Sequence, residues 1–336
     1  MIPNVLKPSF ASAMILVVSL LPVACSAAGS DPGPSLTVGH GDMTLYGLVH
    51  AQYYHGLGNI NESTFSSKRA RIGVTGRLNE FGYIKILAEF AATPKLLDGL
   101  FKIVPNERLA ISIGQYKPPF GTDFALSAAN LPFVNSSLAK GLGTDRDVGM
   151  HMTFYEDFNE DLDITFDAGI FNGAWANTSD ANTYKNFISR LEFGFLGMFS
   201  VASNVIVGKT NSPEPHEEDL NTYGGSVSFN WENEVLVCEY ILSERGNLEK
   251  TGWYVWGGHT VDTGLSFLTA VQVLARYEEY DGDVDIDGDG KSRITLGTNL
   301  FIDGKYTKIQ LNYQVNGEEG GDVDNDEVLA NFQVAF

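Results

Sequence analysis

Cysteine is nearly absent: Cys25 and Cys238 are the only two in 336 residues. Two thiols cannot build the disulfide framework that small secreted domains rely on, so a stapled extracellular module is excluded. Long hydrophobic runs are missing too. The one extended apolar stretch, Ala13-Met-Ile-Leu-Val-Val-Ser-Leu-Leu-Pro-Val-Ala24, is about 12 residues, short of the ~20 that a helix needs to cross a bilayer. With 19% charged residues and a mean hydropathy of -0.06, the chain is too polar for a helical membrane protein. Basic residues are few: 22 Lys and Arg face 42 Asp and Glu, a net charge of -20, which excludes nucleic acid as a partner.

The short apolar run follows Lys7 and precedes Cys25-Ser-Ala-Ala-Gly29, small residues that read as a cleavage site. Residues 1–28 are therefore expected to be a secretory signal cut after Ala28. Processing as a lipoprotein at Cys25 is the alternative, with Pro22 standing where a Leu-like residue is usual. Residues 29–42 form a short mature segment, and 43–336 the main domain.

Abundance points the other way. Gly (36), Phe (21) and Tyr (14) are plentiful, suited to closely approaching strands and aromatic girdles. The last ten residues set the pattern: Val328, Ala330, Phe332, Val334 and Phe336 fall on one parity, and Leu329, Asn331, Gln333 and Ala335 on the other. A strand sends alternate side chains to opposite faces, so one face is apolar and the other small or polar. An apolar face ending in an aromatic fits the closing strand of a membrane barrel, with lipid covering that face.

Similar segments recur from Thr44 onward, joined alternately by short turns (Asn79-Glu-Phe81, Leu196-Gly-Met198, Glu232-Asn-Glu234) and longer loops. The count is about sixteen, and lengths near 9–11 residues suit tilted strands crossing the hydrocarbon layer. The expected fold is an all-β transmembrane antiparallel barrel, short turns periplasmic and long loops outside. One expected segment spans Thr263 to Glu279.

Parity also sorts the charges. Thr307, Ile309, Leu311, Tyr313 and Val315 oppose Lys308, Gln310, Asn312 and Gln314; Ala70, Ile72 and Val74 oppose Arg69, Arg71, Thr75 and Arg77. A charge on a lipid-facing midplane position costs about 2–4 kcal/mol, so the polar rows are expected to face water. They carry Arg69, Arg71, Arg77, Lys85, Arg190, Arg276, Arg293 and Lys308 against Glu89, Asp163, Asp167, Glu192, Glu239 and Glu278. The wall is thus near charge balance, with the acidic excess in loops. Arg69, Arg71 and Arg77 share one face of one strand and form the best row for attracting anions, while any single charge serves equally well as half of a wall ion pair.

Gly114-Gln-Tyr-Lys-Pro-Pro-Phe-Gly121 ends a strand with two prolines, which cannot donate to a ladder. The long segment that follows, to Asp145, is expected to fold into the lumen as a constriction, with a surface lid as the alternative. Lys117 and Lys140 join the basic candidates there.

These motifs, with Arg146-Asp-Val-Gly149, Gly169-Ile-Phe-Asn-Gly173 and Tyr184-Lys-Asn-Phe-Ile-Ser-Arg190, resemble the porin O and P family of phosphate-selective porins. The resemblance is strongest from about Arg69 to Phe195, with Lys185 and Arg190 continuing it. It implies a sixteen-stranded outer-membrane barrel of a Gram-negative bacterium, a homotrimer, contact with membrane lipid and lipopolysaccharide, and passive diffusion of small anions such as phosphate. Where that family carries a charged, Glu-Arg-Ser-like stretch, this chain has Val134-Asn-Ser-Ser137.

Two other readings arise. Asp283-Val-Asp-Ile-Asp-Gly-Asp-Gly-Lys291 has the first half of a calcium loop, Asp283, Asp285, Asp287 and Asp289 offering oxygen at alternate positions, but its twelfth position is Ile294 rather than Glu. An acidic solvated loop is the alternative; no other cofactor is expected. An enzyme is not expected, because the histidines are scattered and none lies beside a Ser in a local motif. A receptor, adhesin or structural barrel is the alternative to a channel.

Overall fold

The computed structural model describes residues 35–38 and 41–336, apart from 59–61, 92, 94, 160, 305 and 322. The expected signal, residues 1–28, lies outside the described residues. Alternating sequence becomes strand throughout: β1 (Ser35–Val38), β2 (Gly41–Gly56), β3 (Ser63–Arg77), β4 (Gly82–Glu89), β5 (Lys95–Asn106), β6 (Leu109–Tyr116), β7 (Asp147–Asn159), β8 (Leu162–Phe171), β9 (Asn186–Phe195), β10 (Phe199–Lys209), β11 (Asp219–Trp231), β12 (Glu234–Arg245), β13 (Leu248–Asp262), β14 (Ala270–Asp281), β15 (Lys291–Asp303), β16 (Thr307–Glu318) and β17 (Glu327–Ala335).

From β2 onward each strand pairs antiparallel with the next, and β17 returns to β2, from Ala335 opposite Leu48 to Glu327 opposite Gly56. Sixteen strands, β2 to β17, therefore close a barrel with no free edge. β1 pairs with the first residues of β2, beyond the end of β17. The chain ends against β2: Gly47 N donates to Phe336 O at 2.8 Å, and Phe336 N donates to Gly47 O at 3.1 Å. The Phe336 ring lies over Gly47, 2.3 Å from where a Cβ would stand, so a larger residue there would displace the ring.

The two parities separate as expected. Leu45, Val49, Ile72, Ile86, Met150, Leu296, Leu311 and Phe332 are exposed on the outside, whereas the opposite parity is mostly buried. Exposed aromatics gather at both ends: Phe81, Phe195, Phe199, Trp231 and Phe336 by the short turns, and Phe65, Phe90, Tyr184 and Phe187 by the longer loops. An apolar belt between aromatic girdles is the surface of a membrane-spanning barrel.

Two connections depart from the short–long rhythm. Residues 263–269 form a turn rather than the start of β14: Gly264 adopts φ 70, and the Thr263 hydroxyl donates to the Leu268 carbonyl, closing the backbone on itself. Leu265 and Phe267 imitate strand alternation there, yet both are exposed. On the loop side, β12 and β13 meet in a tight hairpin with Gly246 at φ 58.

Candidate site in the barrel interior

Segment 117–146, between β6 and β7, is built to dock. Gly121 adopts φ 66, and a Cβ there would lie 2.4 Å from the Phe124 ring, so only glycine opens the short helical turn Thr122–Ala125 this tightly. The carboxylate of Glu239 on β12 accepts from Thr122 N at 2.6 Å and Asp123 N at 3.4 Å, and Tyr254 OH donates to it at 2.8 Å. Glu278 on β14 accepts from Leu138 N at 2.6 Å, where the helical turn Leu138–Leu142 begins. Asp123 itself accepts from Ser137 N and Oγ at 2.7 and 2.9 Å, tying the segment's two halves together.

The bonds continue across the wall. Asn204 takes Gly121 N, Asn312 takes Val134 N, Asn299 and Gln310 donate to Pro132 O, Lys308 and Gln310 donate to Leu131 O, and Gln333 donates to Ala129 O. Apolar packing accompanies them: Phe120, Phe124, Ala139 and Leu142 join inward-facing Phe171, Ile188, Ile206, Val237, Ile241 and Tyr254 in one buried cluster. The expectation that every polar row faces water is therefore corrected for β14–β17. There Thr295, Asn299, Gln310, Gln314, Asn331 and Gln333 are at most 1% exposed; Asn299, Gln310 and Gln333 donate to the segment's backbone, while Gln314 and Asn331 bond their wall neighbours Thr295 and Gln310.

The wall of β3–β5 differs. Arg71 bonds Glu89 at 2.7 Å and keeps 15% of its side chain exposed. Lys85 bonds Asp98 at 2.9 Å and keeps 32%. Asp98 also takes Arg146 from the end of the long segment, at 2.6 Å. Thr75 and Arg77 are exposed, and Lys102 and Tyr83 partly so.

The ten basic candidates thus separate by placement. Arg69 donates to His50 Nδ1 at 3.0 Å, and the other ring nitrogen of His50 meets Gln333 at 2.8 Å. Arg77 lies at the turn, giving its guanidinium to Asn79 O and Glu80 O at 3.0 and 3.1 Å and standing over Tyr83. At ~3.3 Å per residue it is roughly 26 Å along the strand from Arg69, so the three arginines of β3 do not converge. Lys117 donates to Phe124 O and Leu126 O, both at 2.7 Å, and Lys140 to Ser136 at 3.1 Å. Arg190 pairs with Glu192 at 2.9 Å and Asn204 at 2.9 Å. Arg276 pairs with Glu278 at 2.9 Å, donates to Asn135 O and Ser136 O, and lies 4.6 Å over the Phe133 ring. Arg293 donates to Asn316 at 2.6 Å. Buried Lys308 and Arg276, with half-buried Lys117, hold the segment rather than face open space.

Asp283, Asp285, Asp287 and Asp289 do not gather: Asp285 N bonds Asp283 Oδ1 at 3.2 Å, and among the described residues no three His, Cys, Asp or Glu side chains converge to hold a metal ion. Sequence reasoning overlooked Asp98, Lys102 and Arg146. The irregularity at Leu97 shifts only the residues before it; Asp98 keeps the parity of Leu100 and Lys102, opposite Leu87, Lys85 and Tyr83, and that alternation is the signal that could have marked Asp98 and Lys102 as inward.

No family model matches the chain, and no curated protein is similar to it in sequence. Solved structures are similar in shape. OmpF of Salmonella typhi, in complex with daunomycin, aligns at 11% identity over 90% of this chain and 100% of that one, with a TM-score of 0.68. OmpT of Vibrio cholerae, an outer-membrane protein, gives 12% over 90% and 100%, TM-score 0.66. The outer membrane channel DcaP of Acinetobacter baumannii gives 12% over 91% and 100%, TM-score 0.61. The fold is the outer-membrane β-barrel. At these identities the likeness covers fold, and the function rests on the interior.

Proposed function

We propose that the chain forms a water-filled channel in the outer membrane of a Gram-negative bacterium, passing small hydrophilic solutes by diffusion and preferring anions such as phosphate. The observation that carries this reading is the partly open wall of β3–β5. Arg69, Arg71, Lys85 and Lys102, with Arg146 beside them and Arg77 farther off at the turn, outnumber Glu89, Asp98 and Asp145. A surplus of positive charge in a narrow, low-dielectric passage raises the local concentration of anions even in an acidic protein, because a lumen focuses its own lining charges. The long segment narrows the passage from the opposite wall. Export by the amino-terminal signal, a homotrimer, and lipid and lipopolysaccharide around the belt complete the reading, which involves no catalysis.

The sealed apolar cluster favours a second reading, a receptor or structural barrel that does not conduct. Reversal potential in a planar bilayer under a potassium chloride gradient separates the two. The channel reading expects an anion-selective potential and a chloride current reduced by added phosphate. A cation-selective potential removes the anion preference, and absence of current removes the channel.

A further inference from the structure

At the loop end of the barrel, β15 and β16 and the start of β17 line an open cleft of about 170 Å3, with Leu138 of the long segment in its lining. Its charges are sorted by strand. Lys291 and Arg293 project from β15, while Glu318 and Glu327 come from β16 and β17. Arg293 is aimed by its bond to Asn316 Oδ1 at 2.6 Å, has one guanidinium nitrogen at the long distance of 3.9 Å from Glu278, and keeps 19% of its side chain exposed. Asn316 in turn donates to Asn325 O at 2.8 Å, fixing the chain that leads into β17.

Three observations show groups left for a visitor. Lys291 stands directly opposite Glu318 in the ladder, a spacing that favours a closed ion pair. Glu318 instead accepts from Asn325 Nδ2 at 3.3 Å, and among the described residues Lys291 has no ion-pair partner. Asn325 also presents a buried Oδ1 that no described group donates to. A simple anion would satisfy Lys291 and Arg293 but meet two carboxylates, and a simple cation would have the reverse difficulty.

We propose that this cleft is a subsite for a small zwitterion, an α-amino acid with a short side chain. Its carboxylate meets the Arg293 fork and the Lys291 ammonium; its own ammonium, with three donors, meets Glu327, Glu318 and Asn325 Oδ1. At ~30 Å3 per water the cleft of about 170 Å3 holds roughly six waters, which suits such a solute. Use of the subsite as an entry station rests on the channel reading; the binding itself does not.

Calorimetric titration of the folded full barrel in detergent with L-alanine, propionate and ethylamine tests it. The expected result is saturable alanine binding, with both single-charge probes weaker by about tenfold or more, a difference of one decade in Kd. Arg293→Gln and Glu327→Gln each weaken alanine by a similar factor, and exposed Lys291→Gln gives the same direction without touching a packed residue. No saturable heat with alanine overturns the proposal, as does propionate binding as tightly as alanine or alanine binding unchanged by Lys291→Gln. Planar-bilayer current, measured in parallel, separates the two readings: alanine binding without conduction leaves the subsite and removes the channel, and conduction without alanine binding does the opposite.

Discussion

Along β16 the inward row reads Lys308, Gln310, Asn312, Gln314, and every member is buried against the long segment or its neighbours. Along β3 the inward row reads Arg69, Arg71, Thr75, Arg77, and exposure increases toward the turn. Both rows alternate with apolar residues that face outward, so both are strands of the same barrel. Their side-chain chemistry differs with what lies in front of them. Amides both donate and accept, which matches the unpaired peptide groups of an irregular segment at modest cost. Guanidinium and ammonium groups lose too much hydration to be sealed in numbers without carboxylates, and on β3–β5 they are paired with Glu89 and Asp98 where part of each side chain remains open. A mostly amide row thus lines the wall that the chain itself covers, where the few sealed charges are spent on partners, as Arg276 on Glu278 and Lys308 on Leu131 O, while the ionic row of β3–β5 keeps part of its charge open.

The strongest way to break this comparison is to unpin the covered wall. Glu239→Ala leaves Thr122 N, Asp123 N and the Tyr254 hydroxyl without their acceptor in a buried site, a cost of about 1–3 kcal/mol for each donor left unsatisfied. Amide hydrogen exchange across residues 119–140 reads it as lost protection; unchanged protection would contradict the docking role. A smaller effect separates inside from outside. Leu296→Arg places a charge on the lipid face and costs about 2–4 kcal/mol, while Thr75→Arg, inward and exposed, costs little. Denaturant unfolding from lipid vesicles measures both.

Selectivity responds on a finer scale. The double variant Arg71→Gln with Lys85→Gln lowers the anion-to-cation permeability ratio several-fold, worth about 1 kcal/mol, where tenfold is 1.4 kcal/mol. Lys308→Met gives the smallest change. Its ammonium is enclosed and spent on Leu131 O, so the reversal potential stays at the wild-type value. Equal shifts from both variants would erase the distinction between the walls.

Much of the fold could be read from the chain because strand alternation is local. The parity of residues 307–315 or 327–336 needs no distant contact, and both became strands close to their expected limits. Residues 263–269 misled because Leu265 and Phe267 alternate like a strand while Gly264 turns the backbone. The site was less accessible to reading. Whether Lys308 or Lys85 meets water depends on where segment 117–146 comes to rest, through bonds such as Lys308 to Leu131 and Thr122 to Glu239 that join residues more than a hundred positions apart. Asp98 shares the parity of Leu100 and Lys102 and was open to the same reading, whereas Arg146 was hidden by its place just before a strand rather than within one.

The division of the interior can be tested by thiol accessibility. In a Cys238→Ala background, which removes the exposed native thiol, single cysteines at Thr75, Gln310 and Thr295 are treated with a charged, membrane-impermeant thiol reagent. Rapid labelling at position 75 and protection at positions 310 and 295 is the result predicted by a covered wall facing an open one. Comparable labelling at all three would contradict it.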